Sequence, residues 1–181
     1  IKTIIKYELI RYFLSPLAYV YLVGFLLLSG SCAIYFGHFF MDGYASLWGL
    51  FDYQPWIYLL FIPGIAMRSW AEEFHTKSIV QILTVPVSVT DLVWGKFLAS
   101  WIFAIIAILL TFSFWITVNI LGNPDNTVII IGYLGCFILA GAMLAISQTM
   151  SALTKSPVIA LVLGVFVNLL FFWSGFEYVL F

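Results

Sequence analysis

Five runs of apolar residues, separated by polar segments, organise the whole chain. A helix needs about 20 apolar residues to cross roughly 30 Å of hydrocarbon, and four of the five runs approach or exceed that length. The second run is shorter, so its helix draws on residues 47–53 or continues into the polar segment that follows. The pattern predicts a single all-α domain over residues 1–181, a polytopic bundle of transmembrane helices. The predicted spans are residues 17–39, 55–69, 95–121, 128–151 and 157–176.

The residues before the first run predict a helix that lies in the membrane interface. Within residues 1–14, apolar side chains recur at helical spacing along one side, and Lys2 with Lys6 occupies another. Such a pattern is typical of an amphipathic interfacial helix. Ser15 and Pro16 suit the N-cap and first residue of the next helix, so the chain turns a corner there. The apolar side consists of Ile1, Ile5, Leu9 and Tyr12.

The polar segment over residues 70–92 predicts a helix, a turn and the start of a second helix. Glu73 and Lys77 stand four residues apart in the favourable order for a helical ion pair. A proline ends the first helix, and Ser88 with Asp91 has the form of a capping box. This arrangement is typical of a docking site. The apolar side of the first helix contains Trp70, Phe74, Ser78 and Ile82 with Ile79 and Leu83, and the polar side contains Glu72, Glu73, Thr76 and Lys77.

All basic residues fall in segments on one side of this topology. Short loops rich in Lys and Arg stay cytoplasmic, so the amino terminus is predicted to be inside. The opposite segments carry only acids: Asp42, Asp52, Asp125 and Glu177. The basic residues are Lys2, Lys6, Arg11, Arg68, Lys77, Lys96 and Lys155.

Composition excludes several classes of function. The chain is 64% apolar and only 8% charged, whereas soluble proteins are about one quarter charged. It has no basic patch for nucleic acid. No predicted span has an Asp, Glu or Lys at its middle, where pumps and intramembrane enzymes need one. His38 and His75 are interpreted as structural or solvated, Cys32 and Cys136 as small apolar residues. We therefore expect no catalytic site, cofactor or metal on this chain.

Small and polar residues inside the spans leave alternatives open. A row of small side chains in the fourth span favours packing within the bundle, with a dimer interface as the alternative. Uncharged polar residues in the spans indicate hydrogen bonds between helices, or else the lining of a substrate path. The small residues are Gly132, Cys136 and Ala140 on one face and Gly141 and Ala145 on another, and the polar residues are Asn119, Gln148 and Asn168.

Five short strings occur in order between residues 7 and 99. They are YELIRYF at 7–13, SPLAY at 15–19, MRSWAEE at 67–73, ILTVPVS at 82–88 and GKFLA at 95–99. Together they resemble the permease subunits of ABC-2 type transporters, and most closely the gliding-motility-associated branch.

The resemblance implies a six-helix half-transporter in the bacterial inner membrane, with a sixth span after the five seen here. Such a permease pairs with a second permease, the same or related, and each docks a separate cytoplasmic ABC ATPase that carries ATP and Mg²⁺. Residues 1–14 would be its elbow helix, in contact with membrane lipid. The elbow residues are Lys2, Lys6, Glu8 and Arg11.

The resemblance also implies that residues 70–92 hold the coupling helix that enters a groove on the ATPase. Glu72 and Glu73 would be its acidic pair, with Arg68 and Trp70 at its membrane end. Family members often continue Glu-Glu-x-x-x-Gly, and Lys77 takes the glycine position here.

The resemblance implies ATP-driven transport. The lack of charged residues at the middles of the spans favours an amphipathic, lipid-linked or hydrophobic cargo, or force transmission without cargo, over a free ion. A non-transporting scaffold that docks a cytoplasmic regulatory protein is the main alternative. An intramembrane enzyme is the weakest of the alternatives, because the middles of the spans lack ionisable groups.

Overall fold

The computed structural model describes residues 1–36, 47–78 and 88–175, and the regular structure of these residues is entirely helical. A π-helical turn, Cys32–Phe36, extends the second helix. A short break at Thr111 interrupts an otherwise continuous apolar helix over Val89–Leu121. The helices are α1 Lys2–Leu14, α2 Pro16–Ser31, α3 Trp48–Ala66, α4 Ala71–His75, α5 Val89–Leu110, α6 Phe112–Leu121, α7 Asn126–Leu153 and α8 Pro157–Trp173.

Among the described residues, three helical segments are long and apolar enough to cross a membrane: Pro16–Tyr35, Val89–Leu121 and Asn126–Leu153. α8 is apolar but shorter. The five-span topology remains a prediction. α3 begins at Trp48, earlier than the predicted span 55–69, because the apolar residues before Pro55 join the same helix.

Local sequence signals at two helix starts are confirmed. The Ser88 hydroxyl accepts a hydrogen bond from the Asp91 backbone N–H at 3.1 Å, so the predicted cap opens α5. The chain turns at Ser15, whose backbone is extended, and Pro16 is the first residue of α2. The Ser15 hydroxyl makes no capping bond but accepts one from Nη1 of Arg68 at 3.2 Å.

The helix predicted over residues 70–83 is much shorter than its apolar spacing suggests. α4 ends at His75, and Lys77 has a backbone φ of 58°, in the left-handed region. The predicted helical pair of Glu73 with Lys77 is therefore wrong, since Lys77 lies beyond the helix. Predictions for Ile79, Ile82, Leu83 and the proline at 86 fall outside the described residues, as do those for His38, Asp42 and Glu177.

α7 is the central helix of the bundle and packs against α3, α5 and α8. Gly132 allows α7 to pack closely against α3, because a Cβ there would lie 2.6 Å from the ring of Phe51 on α3. Cys136 and Ala140, on the same face, are buried as well. The interpretation as packing within the bundle is confirmed for this row. Ala145 is exposed, and a dimer interface remains a prediction.

The polar residues of the spans bond between helices, as the sequence indicates. Asn168 donates to the Ser147 hydroxyl at 2.7 Å, and Gln148 donates to the Ser100 hydroxyl at 3.0 Å. Asn119 bonds across the α6–α7 turn. These bonds pair polar groups that would be costly in hydrocarbon, although Oδ1 of Asn168 has no partner among the described residues.

Candidate functional site: an ion cluster joining α1, α4 and α5

Lys96, on α5, lies at the centre of a buried ion cluster. Its ammonium donates to Oε1 of Glu8 on α1 at 3.0 Å and to the Ser69 carbonyl at 3.0 Å. It also donates to Oε1 of Glu73 on α4. The ring of Trp70 lies beneath, with its centroid 5.1 Å from Nζ. The Lys96 side chain is 1% exposed, so protein groups replace its water entirely.

Glu73 joins all three helices through one carboxylate oxygen. Its Oε1 accepts from Lys96 and, at 3.0 Å, from Nη1 of Arg11 on α1. The other oxygen, Oε2, is buried and has no hydrogen-bond partner among the described residues. A carboxylate that is 1% exposed depends on these two cations, because a buried charge without a partner is costly.

The short α4 helix can bury Glu73 because the turn before it faces the bundle. Oγ of Ser151, on α7, accepts from the backbone N–H of Ala71 at 3.1 Å and of Trp70 at 3.3 Å. The same hydroxyl donates to the Met67 carbonyl at 3.2 Å. A side chain from α7 thus supplies the acceptor that the first N–H groups of a helix need.

Glu72 forms the outer edge of the cluster. Arg68 binds Glu72 through two guanidinium nitrogens. Its Nε donates to Oε2 at 2.8 Å and its Nη2 donates to Oε1 at 3.0 Å. Nη2 of Arg11 lies 3.9 Å from Oε2 of Glu72. Bidentate pairs of this kind fix orientation as well as adding energy. The adjacent glutamates therefore have different roles, one buried and one partly exposed.

A neutral polar chain continues from the cluster into the bundle. The Tyr12 hydroxyl shares a hydrogen bond of 2.9 Å with the Ser100 hydroxyl, and Gln148 donates to that hydroxyl at 3.0 Å. Oγ of Ser100 also donates to the Lys96 carbonyl at 2.9 Å. This chain links α1 and α5 to α7.

Three acids face three bases here, so the cluster is balanced. The hydrogen bond from Arg68 lowers the pKa of the Glu72 carboxyl despite partial burial. Burial alone would lower the pKa of Arg11, but Glu8, Glu73 and Glu72 together raise it. Burial raises the pKa of Tyr12 to about 12, so its hydroxyl stays neutral. This matching of acids with bases suits a structural linkage between the helices.

The structure brings together most of the residues predicted for the elbow and coupling helices. Lys2 and Lys6 lie away from the cluster on the exposed side of α1, and Lys77 is exposed beyond α4. Glu73 was predicted to be on the polar face of its helix; it points into the protein instead. The predicted residues in the cluster are Glu8, Arg11, Arg68, Trp70, Glu72 and Glu73.

Sequence reasoning missed the role of Lys96, which it used as a marker of the cytoplasmic side and as part of the string GKFLA, without assigning it a partner. Ser100 and Ser151 also went unrecognised. The available signal was periodicity: Lys96 and Ser100 lie one helical turn apart on α5, as do Gln148 and Ser151 on α7, so each pair shares a face.

Comparison with known families identifies the family of this chain. A family profile described as ABC-2 family transporter protein matches residues 42–181. The chain belongs to the ABC-2 transporter family. Neither a curated protein nor a solved structure matches it at significant similarity.

As a membrane permease component of the ABC-2 family, this protein has part of its ion cluster inside the matched region and part outside. Lys96, Glu73 and Arg68 are inside, whereas Glu8 and Arg11 precede it. Within the described ranges, no group of three or more His, Cys, Asp or Glu side chains could hold a metal ion. Basic side chains neutralise the acids of the cluster instead.

Proposed function

We propose that this ABC-2 permease couples a separate cytoplasmic ATPase, which carries ATP and Mg²⁺, to movement of an amphipathic or lipid-like cargo. The ATPase docks on the segment containing α4. Its motion reaches the membrane helices through Glu73, which moves α1 by way of Arg11 and α5 by way of Lys96.

The contacts of Glu73 carry this proposal. A helix that only anchored a partner would need no buried connection, yet α4 has five residues and shares one carboxylate oxygen with cations from two other helices. The Ser151 hydroxyl on α7 accepts a hydrogen bond from the backbone N–H of Ala71, the first residue of α4. A displacement of α4 without α1 and α5 would leave buried charges unpaired, which costs several kcal/mol. The low-energy response is for the three helices to move together.

The outward side of α4 and of the turn that follows it offers a polar surface for the ATPase. His75, Thr76 and Lys77 are exposed, and Glu72 is partly exposed. Arg68 holds Glu72 in one orientation, so the docking surface is presented with fixed geometry.

The proposal includes several further features of the transporter. The permease pairs with a second permease, the same or related, in the bacterial inner membrane, with its amino terminus in the cytoplasm. The one-sided distribution of basic residues supports this orientation. Similarity of the strings at 7–99 supports placement in the gliding-motility-associated branch.

The test is photo-crosslinking from α4 in the intact complex, isolated from the native host in mild detergent. A photoreactive amino acid at His75 should capture a near-equimolar soluble protein with a Walker A loop, identified by mass spectrometry. The matched control places it at Asn123, an exposed residue between α6 and α7, in the segment predicted to face the other side of the membrane. That position should capture no ATPase.

Either alternative outcome is informative. Capture at His75 of a protein without an ATPase signature would overturn the transporter proposal and support the docking scaffold. Equal capture of the ATPase from both positions would overturn the assignment of α4 as its docking site.

A further inference from the structure

The third predicted span is broken at Thr111, ten residues before its end. The apolar helical stretch Val89–Leu121 contains 33 residues, which would make a straight helix about 50 Å long. No proline or glycine lies between residues 96 and 121. Because these two residue types are common causes of sharp kinks, the break must have another cause.

A hydroxyl group and tightened backbone bonds replace the regular helical pattern at the break. The backbone N–H of Thr111 donates to the Ile108 carbonyl at 3.0 Å, and the N–H of Phe114 donates to the Thr111 carbonyl at 3.0 Å. Both bonds follow the tighter 3₁₀ pattern, which often marks a hinge when it occurs in the middle of a helix. The Thr111 hydroxyl also donates to the Ile108 carbonyl, at 2.6 Å, and so competes with the backbone.

Tyr133, on α7, holds the break from the side. Its hydroxyl donates to the Thr111 carbonyl at 3.1 Å and lies 3.2 Å from the Thr111 hydroxyl. Thr111 is 0% exposed and Tyr133 is 4% exposed, so these bonds form within the protein. A backbone carbonyl that leaves the helical pattern inside a membrane needs such a partner. The Tyr133 ring also packs against Phe112, the first residue of α6, with the ring centroids 4.5 Å apart.

Beyond the break, α6 is packed more loosely than α5. Val118 is the one buried residue of α6, whereas α5 has nine buried residues. Ile116 and Ile120 of α6 are 62% and 79% exposed. Asn119 and Asn126 exchange two hydrogen bonds of 3.2 Å, so the turn between α6 and α7 would follow α6. Movement of α6 therefore disrupts fewer buried contacts than movement of α5 would.

We propose that Thr111 is a hinge about which α6 tilts, and that the Tyr133 hydroxyl is a latch that holds α6 in its observed position. In this position Phe114 packs on α2, since a Cβ at Gly30 would lie 3.3 Å from its ring. Tilting of α6 away from α2 would open the bundle between these two helices. The hinge depends on neither an ATPase nor a cargo, and only its use as a gate for cargo rests on the proposed function.

The experiment measures distances between pairs of spin labels on the full chain in lipid nanodiscs, with its two cysteines replaced by alanine. The exposed Phe166 on α8 carries the reference label. The second label is placed at Ile120 on α6 or at Leu110, the last residue of α5. Ile120 lies about 14 Å beyond Thr111, so a tilt of about 20° would move it by about 5 Å. Leu110 precedes the hinge and should stay in place.

Tyr133→Phe keeps the ring and removes the hydroxyl of the latch. The distance from Phe166 to Ile120 should broaden or shift by up to about 5 Å, and the distance from Phe166 to Leu110 should not change. Thr111→Val, which removes the other hydroxyl at the break, should have the same effect. An unchanged distance to Leu110 also shows that the rest of the bundle is folded in these variants.

Tyr58→Phe is the matched control. Tyr58, on α3, is 1% exposed, and its hydroxyl makes no hydrogen bond to any residue of α6. This variant therefore removes a buried tyrosine hydroxyl without touching the latch, and both distances should stay as they are in the chain that keeps Tyr58.

Three results would overturn the hinge. An unchanged distance to Ile120 in both Tyr133→Phe and Thr111→Val would show that these hydroxyls do not hold α6. Equal changes in the distances to Ile120 and Leu110 would show a general loosening of the bundle. The same change in Tyr58→Phe would show that the loss of any buried hydroxyl has this effect.

Discussion

The ammonium of Lys96 lies 3.0 Å from Oε1 of Glu8, although 88 residues separate them in the sequence. This bond fastens α1 to α5, and the same ammonium also binds Glu73 on α4. Both Lys96 and Glu73 are 1% exposed. One cation therefore neutralises carboxylates from two other helices at a site that water barely reaches.

Lys96→Met should strongly destabilise the fold. It keeps the length of the side chain but removes the charge, leaving Glu8 and Glu73 buried without their main cation. Breaking one partner of a buried pair costs about 3–5 kcal/mol. Thermal unfolding of the detergent-purified protein measures the change, and Lys155→Met, at an exposed position, should have little effect.

A second variant separates lost charge from poor packing. Lys96→Met with Glu73→Gln should be more stable than Lys96→Met alone, because one unpaired carboxylate is removed as well. If the free-energy changes of Lys96→Met and Glu73→Gln simply add in the double variant, the ion cluster does not stabilise the protein in the way described.

Lys77→Gly should stabilise the turn after α4. Lys77 has a φ of 58°, a conformation that costs a residue with a side chain roughly 1–2 kcal/mol and glycine almost nothing. The unfolded glycine is more flexible, so we expect a net gain of about 0.5–1 kcal/mol in unfolding free energy. His75→Gly, at the last residue of α4, should instead destabilise slightly, by about 0.3 kcal/mol. A loss of stability in Lys77→Gly would contradict the assigned backbone conformation.

Lys77 also shows which parts of the site the sequence could predict. The resemblance places a glycine at this position in related permeases, and the backbone here has the conformation that glycine favours. The sequence interpretation nevertheless put Lys77 in a helix with Glu73, because four-residue spacing alone cannot show where a helix ends. The helix cap at Ser88 was easier to predict. Ser88 and Asp91 are three residues apart, and this local pattern is sufficient to predict where a helix begins.

The ion cluster was harder to predict because it is formed by tertiary contacts. Glu73 looks like a solvated residue within its own short helix, and its burial depends on Arg11 and Lys96 from distant parts of the chain. The corner at Ser15 was predictable from its neighbour Pro16. The use of the Ser15 hydroxyl by Arg68 was not, since 53 residues separate them.

Gly95→Ala should loosen the packing of α1 on α5. A Cβ at Gly95 would lie 2.6 Å from Cγ2 of Ile4 and 3.0 Å from its Cβ, so α1 would have to move. We expect a loss of about 1–3 kcal/mol, as for other overpacked sites. Adding Ile4→Ala to Gly95→Ala should restore most of the lost stability. Gly135→Ala, inside α7, has open space and should cause no loss of stability, because alanine also favours the helix. A loss there similar to that of Gly95→Ala would contradict the assigned contact.

Acid should weaken the Arg68–Glu72 pair selectively. The pKa of Glu72 is lowered in the folded protein, so the pair contributes fully above the ordinary carboxyl pKa and is lost as pH falls through the lowered value. Wild type should therefore be more stable than Glu72→Gln at about pH 7, and this advantage should shrink below about pH 4. Thermal unfolding across this range measures it. An advantage that grows in acid would contradict the pairing.

Coupling through Glu73 requires α1 and α4 to move as one unit. Spin labels at the exposed positions Tyr7 on α1 and His75 on α4 report the distance between these helices in the complete complex with its ATPase. ATP should leave this distance unchanged in wild type. Glu73→Gln, but not Glu72→Gln, should make it change or broaden with ATP. A distance that changes with ATP in wild type and is unaffected by Glu73→Gln would contradict coupling through the ion cluster.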